Sequence, residues 1–325
     1  MRLSRSVSRG RAAAALAALP LILAAARGEN GPPKLVRRGP DRASAPFEER
    51  APRAKAALLS RINAERRAAG APPLAYDLVG ARAGDLFCLD AAKTGVMGHW
   101  DLAGRAPYDR YADAGGVDYH AENFSGATRT GAPFRGSELE SLLLEAHEGM
   151  MAERPPADAH RRTALDARFT HVGFGVALEG GEFRMTEEYS RHVVGWVDIP
   201  AGPVPISAHD APFAALLPKG WTLAMIEVAH AGFPRSISKH EIARRGSYSY
   251  PRATERLLPK LGGSQHYSGG ASGEVTVSAG VVRATVQFLS GPGDYWVFVY
   301  AAPGEVAGRS LTPLTASRIT VEGGR

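Results

Sequence analysis

The sequence predicts an α+β protein in two parts: a helical half that closes on a small antiparallel sheet, then an all-β region of sandwich type. Three observations carry this expectation. Apolar residues recur at helical spacing from about residue 53 onward. Two alternating segments then meet at Gly180-Gly181, a hairpin signal. Past Trp196 there are only short alternating segments divided by turn residues, and no convincing helix.

Of the 325 residues, 44% are hydrophobic and 22% charged, the proportions of a folded protein. Residues 1–26 read as an export signal. Arg2, Arg5, Arg9 and Arg11 precede the apolar run Ala12 to Ala26, which ends in small residues and is too short to span a bilayer. Cleavage there takes four arginines from the formal charge of +6 and leaves +2. So mild a charge, without a basic stripe, excludes nucleic-acid binding; the pairs Arg37-Arg38 and Arg66-Arg67 read as solvated surface. No later stretch reaches transmembrane length. Residues 27–52, rich in Gly, Pro and Arg, read as a flexible linker. The one cysteine, Cys88, forms no internal disulfide and reads as a small packed apolar group. An exported, disulfide-free, Ala- and Arg-rich chain points to a bacterial envelope or secreted protein.

The first folded part, residues 53–195, opens with a helix on which Ala54, Leu58, Ile62 and Ala69 share a face, stopped by Gly70 and Pro72-Pro73. A second helix spans Leu78 to Lys93, with Asp85 near its apolar stripe, and a third runs from Pro107 to Ala114. The fourth has a capping box at Ser137 to Glu140, followed by Leu139, Leu142, Leu143, Ala146 and Met150 at helical spacing. Continued to Glu153, this helix brings that acid within roughly 40° of the stripe, while Glu145 and Glu148 point away. An inward carboxylate needs partners. Strands at Val172 to Leu178 and Glu182 to Val193 follow. The second part, residues 196–325, begins with a Pro-rich linker at Pro200 to Pro205. It continues in strands at Trp221 to Val228, Glu274 to Ser278, Val281 to Leu289, Tyr295 to Tyr300 and Ser317 to Glu322.

Standard catalytic signatures are missing. His147-Glu148 and His240-Glu241 lack the second histidine of a zincin helix, Gly173-Phe174-Gly175 lacks the third small residue of a dinucleotide fingerprint, and there is no nucleophile elbow or phosphate loop. His99, Glu122, Glu153 and His160 each sit inside a short, recognisable string of sequence. Two imidazoles and two carboxylates can hold a divalent metal, or serve as acid and base groups whose surroundings separate their pKa values. Each alone also fits a structural duty: Glu122 bonding loop amides, His160 steadying a helix start after Asp158. His120 and His171 read as exposed.

The strings around these residues resemble a known family. Gly98-His99-Trp100-Asp101, Ala121-Glu122-Asn123, Met150-Met151-Ala152-Glu153 and Asp158-Ala159-His160-Arg161-Arg162 precede Phe169-Thr170-His171-Val172-Gly173-Phe174-Gly175-Val176. In that order they are similar to the CAP superfamily. This is the SCP/TAPS group of cysteine-rich secretory proteins, antigen 5 and plant pathogenesis-related proteins of class 1, with many exported bacterial members. Ile62-Asn63-x-x-Arg66, Gly70 and Leu74 look like the family's usual opening. The resemblance implies an α-β-α sandwich over residues 53–195, with a cleft lined by His99, Glu122, Glu153 and His160. It also implies a cleft associated with divalent metal, with lipid, or in scattered cases with proteolysis. Ala121 stands where the family has Gly, and Ala146 and His147 where it has an aromatic.

Three expectations follow. One is a cleft binding Zn(2+) or another divalent cation through His99 and His160, with Glu122 and Glu153 as candidate catalytic groups on a metal-bound water and Asn123 and Arg161 as outer supports; this assembly could be a metal-dependent hydrolase. Another is a lipid or peptide binding module. The third is an adhesive or structural role in which the β region docks on the cell envelope.

Overall fold

The computed structural model describes residues 33–39, 49–268 and 270–324. The export signal expected at residues 1–26 lies outside the described residues, as does much of the expected linker. In chain order the first elements are β1 (Leu35–Arg38), α1 (Pro52–Ala68), β2 (Ala75–Tyr76), α2 (Leu78–Thr94), α3 (Pro107–Asp113), β3 (His120–Thr128), α4 (Leu139–Met151), α5 (Ala159–Leu165), β4 (His171–Glu179) and β5 (Glu182–Ser190). The β-rich half contributes β6 (Val197–Pro200), β7 (Val204–Pro205), β8 (Asp210–Leu216), β9 (Trp221–Ala231), α6 (Lys239–Arg245), β10 (Ala253–Leu257), β11 (Thr276–Ser278), β12 (Val281–Gln287), β13 (Gly293–Pro303) and β14 (Ser317–Glu322).

The first half is a three-layer α-β-α sandwich. Its sheet has the order β2-β4-β5-β3, antiparallel except where β2 runs parallel to β4. One face buries Phe174, Val176, Met185 and Tyr189 against Leu58 and Ile62 of α1 and Leu143 and Met150 of α4. The other face takes α2, and the helix approaches until backbone meets backbone. A Cβ on Gly175 would lie 2.1 Å from the Gly84 carbonyl carbon, and one on Gly173 would lie 2.2 Å from the Ala81 nitrogen. The Gly173-Phe174-Gly175 string is therefore a packing device, as its place in a strand implies. Asp77 starts α2 by accepting from the amides of Val79 and Gly80, which satisfies two donors left open by the helix end.

The second half is a β-sandwich of two five-stranded sheets, β1-β6-β8-β12-β11 and β10-β9-β13-β14-β7. Alternate residues of facing strands, among them Phe213, Val282, Val286, Ile226, Val228, Val297 and Ile319, fill the space between them. Four features differ from the sequence reading. Leu35–Arg38, inside the expected linker, is a strand paired with β6, and Arg37 forks onto Asp198 at 2.8 and 2.9 Å. The Pro-rich stretch holds the end of β6, which lies between β1 and β8, and β7, the outermost strand of the second sheet, where a missing N–H is tolerated. Helix α6, started by Ser238 accepting from the Glu241 amide, lies in an excursion between β9 and β10 that periodicity over seven residues cannot reveal. Arg66 is fully buried, its guanidinium donating to the carbonyls of Pro72, Ala164, Asp166 and Phe169, whereas Ala69 lies past the helix end in solvent.

The two halves share an aromatic seam. Trp296 and Phe298, on the outer face of the second sheet, pack with Ala106 and Tyr108 beside α3, joined by Trp100, Tyr248, Tyr250 and Tyr300. The excursion 232–252 crosses this seam, where Ile237 and Ile242 bury against Phe87, Ala91 and Val96.

Candidate functional site

His99 follows Gly98, whose φ of +131° lies where side-chain-bearing residues are rarely found. That turn, in the loop between α2 and α3, aims the imidazole at β3, and His99 Nδ1 meets Glu122 Oε1 at 2.8 Å. The other oxygen of Glu122 accepts from Arg110 at 2.6 Å. Arg110 itself comes from α3, donates also to the carbonyls of His99 and Arg105, and lies over the Phe87 ring. Burial alone would raise the Glu122 carboxyl, but Arg110 and His99 outweigh it and hold it below the usual range. An ionised Glu122 fixes the tautomer: His99 donates from Nδ1, leaving the Nε2 lone pair uncommitted. Arg110 was not singled out in the sequence, since nothing local marks a helix arginine as the partner of a strand carboxylate.

Glu153 and His160 form a parallel pair by a different route. Helix α4 ends at Met151, so Glu153 lies outside it and the stripe geometry does not apply. A 3-10 turn over Gly136–Glu138 replaces the expected capping box, with the Glu138 carboxylate accepting from the Arg135 amide at 2.8 Å. Glu153 instead accepts from both the His160 amide, at 3.1 Å, and His160 Nδ1, at 2.5 Å. It thus performs the start-of-helix duty expected of Asp158, whose side chain caps nothing. Asn123 donates to the His160 carbonyl and to Glu187 Oε2, both at 3.0 Å, and so ties β3 to α5. Arg161 is half-buried and makes no hydrogen bond or ion pair with a described residue, so it orients none of the four.

The two pairs converge. The rings of His99 and His160 lie 6.2 Å apart, and the His160 and His99 side chains keep 30% and 14% of their surface open while Glu122 is closed off. Beneath them lie two buried networks absent from the sequence reading. On the α4 side His147 fills the place of the family aromatic, its Nδ1 at 2.6 Å from Glu187 and its Nε2 at 2.8 Å from Glu65. Burial opposes the charge of His147, but the two carboxylates prevail and raise its pKa. On the α2 side His120, expected to be exposed, is buried, stacked 4.4 Å from the Tyr111 ring, and 2.7 Å from Glu188. Burial pushes both partners of that pair toward their neutral forms. It lowers His120 to about 4 and, together with the nearby Glu122 charge, pushes Glu188 well above its usual value; the buried His120 Nδ1 has no hydrogen-bond partner among the described residues. His171 is half-buried, 3.9 Å from the His192 ring. Cys88 is buried beside Thr186, and its thiol pKa is raised by burial, in keeping with a packing role.

The β-rich half supplies the roof. Tyr248, from the strap after α6, sets its ring 4.9 Å from His99, and its hydroxyl both accepts from the Glu122 amide and donates to the Glu122 carbonyl. Tyr250 does the same two residues earlier, accepting from the His120 amide at 3.2 Å and donating to its carbonyl at 3.3 Å.

The donor set can be weighed against a divalent metal. Among the described residues no group of three or more His, Cys, Asp or Glu side chains is arranged to hold an ion. Two imidazoles with Nδ1 engaged by carboxylates and Nε2 uncommitted do match the carboxylate–histidine arrangement of metal sites. They fit an open site with two protein donors, not a closed four-ligand structural zinc.

A sandwich of this layering, with paired histidines and acids at one sheet edge, is the architecture the sequence resemblance implies. The model of the cysteine-rich secretory protein family, CAP, matches residues 59–189, so this segment of the chain is a CAP domain. No curated protein matches the sequence. Among solved structures, an extracellular protein containing an SCP domain from Bacillus anthracis is similar at 18% identity and a TM-score of 0.35, over 46% of this chain and 45% of that one. An outer surface protein from Borrelia burgdorferi is similar at 11% identity and a TM-score of 0.36, over 45% of this chain and 98% of that one. The chain thus spans less than half the length of the first. None of the described helices is long and apolar enough to cross a membrane.

Proposed function

We propose that this is an exported CAP-domain protein whose cleft binds a divalent cation, zinc or a neighbour, through Nε2 of His99 and His160. The carrying observation is the pairing of both imidazoles through Nδ1 with carboxylates, His99 with Glu122 and His160 with Glu153, while the rings lie 6.2 Å apart in a partly open cleft. A neutral imidazole held in one tautomer is the state a metal requires. A bound ion would supply Lewis acidity and a water of lowered pKa. Glu122 is saturated by His99 and Arg110, so its duty is to orient His99; Glu153, 24% exposed, is the carboxylate able to reach a ligand. Export is supported by the charged and apolar leader at residues 1–26.

Calorimetric titration of zinc tests this reading. Wild type should show one site, and His99→Ala with His160→Ala should lose it; indistinguishable heats would refute it. Glu122→Gln should weaken binding about 10- to 100-fold without abolishing it, as loss of an orienting carboxylate does.

A further inference from the structure

A cavity of about 430 Å³, lined in part by Tyr248, opens where the two halves meet. Its volume falls in the ~300–1,000 Å³ range of small-ligand sites, which favour such junctions. Five aromatic side chains line it: Tyr119 from the turn before β3, Tyr248 and Tyr250 from the strap, and Phe298 and Tyr300 from β13. Tyr250 stands 5.4 Å from Tyr119 and 5.3 Å from Phe298, the latter edge to face. Glu227 of β9, directly opposite Phe298 in the sheet, closes one side.

The charge of this lining is one-sided. Among the described residues that line the cavity, Glu227 is the single formal charge, since His120 is neutral. Arg256 reaches Glu227 from outside, with its side chain 60% exposed, and contacts Oε1 only. The Tyr300 phenol is held up by burial and by Glu227 beside it, and the Tyr119 hydroxyl has no hydrogen-bond partner among the described residues. Ring faces and one carboxylate attract a cation. The lining itself offers an anion no positive group, and a primary ammonium, strongly hydrated, loses more on leaving water for ring faces than a methylated one does. A methylated ammonium has no N–H to satisfy and spreads its charge over surfaces that aromatic faces match.

We infer that this cavity binds a quaternary ammonium group, with Tyr119, Tyr250, Phe298 and Tyr300 enclosing it and Glu227 as counter-charge. The inference is independent of metal in the cleft. Choline tests it by calorimetry on the whole protein, alongside the neutral isostere of choline in which carbon replaces the quaternary nitrogen. Choline should bind at one site, and the isostere at least about tenfold more weakly, because only the cation gains from ring quadrupoles and Glu227. Tyr300→Leu should weaken choline about 2- to 30-fold, the span of one ring's cation–π contribution, and Glu227→Gln should also weaken it, while zinc titration in both variants stays as in wild type. Absence of choline heat, or equal affinity for the isostere, overturns the proposal without touching the metal site; the isostere comparison needs no variant. Sedimentation with phosphatidylcholine and phosphatidylglycerol vesicles identifies the source. Retention by the first alone makes it a lipid headgroup, and binding of choline without retention makes it a free ligand.

Discussion

Single residues in this protein are decided by partners distant in sequence. Arg110 shows the energetic stake: its loss would leave Glu122 as an uncompensated buried charge, which costs about 3–5 kcal/mol. Urea denaturation of Arg110→Met should show a loss of that order, and adding Glu122→Gln should recover part of it; a loss under about 1 kcal/mol would mean that water reaches the carboxylate. His120 sets a pH dependence of definite sign. Its folded pKa, about 4, lies below the ordinary 6.5, so on acidification the unfolded chain takes up a proton the folded one refuses. The contribution of His120 is therefore full above about pH 6.5 and is lost between there and about pH 4, on the order of 3 kcal/mol. Comparing unfolding midpoints at pH 7.5 and pH 4.5, His120→Gln should lose less than wild type does. The His147–Glu187 pair adds two limits of its own. Glu187, whose carboxyl burial would raise but His147 lowers, loses its contribution as pH falls through the lowered value; His147 loses its own as pH rises through the raised one.

Elements were legible where a pattern repeats within a dozen residues. Helices α1 to α4, the hairpin at Gly180-Gly181 and most long strands of the β-rich half follow from periodicity and turn residues, and the strings around His99, Glu122, Glu153 and His160 follow from their order. What periodicity could not carry is pairing across the chain. β1 has no apolar alternation and exists because β6 offers it an edge; α6 exists because Ile237 and Ile242 find Phe87 and Val96. His147 looked like half of a zincin motif because Glu187, its partner, lies 40 positions away. Glycines discriminate these levels experimentally. Gly175→Ala should force α2 off β4 and cost at least about 1–3 kcal/mol. Gly149→Ala, in α4 with open space around it, should stabilise by up to about 1 kcal/mol. Thermal unfolding of the two variants reads opposite signs if the contact between α2 and β4 is as tight as described.

At the scale of the whole molecule, the CAP domain and the β-sandwich are joined by a seam that either half alone would expose. A fragment ending at residue 195 would uncover Tyr108 and Trp100 together with the apolar surface around α3. Such a patch promotes association, so the fragment should elute from gel filtration as oligomers or aggregate where the whole chain does not. A monomeric, stable fragment would show that the seam contributes little. The seam also makes the cleft a composite, since His99 packs against Tyr248 from the other half.

The two tyrosines of the strap carry one more consequence. β3 is the outermost strand of its sheet, and each phenol engages both the amide and the carbonyl of a single residue on its open side, at His120 and again at Glu122. Two side chains thereby imitate two rungs of a ladder that a fifth strand would otherwise complete. The part of the rim nearest the histidines is closed to strand addition by another polypeptide, so assembly or fibril growth by sheet continuation cannot start there while the strap is seated.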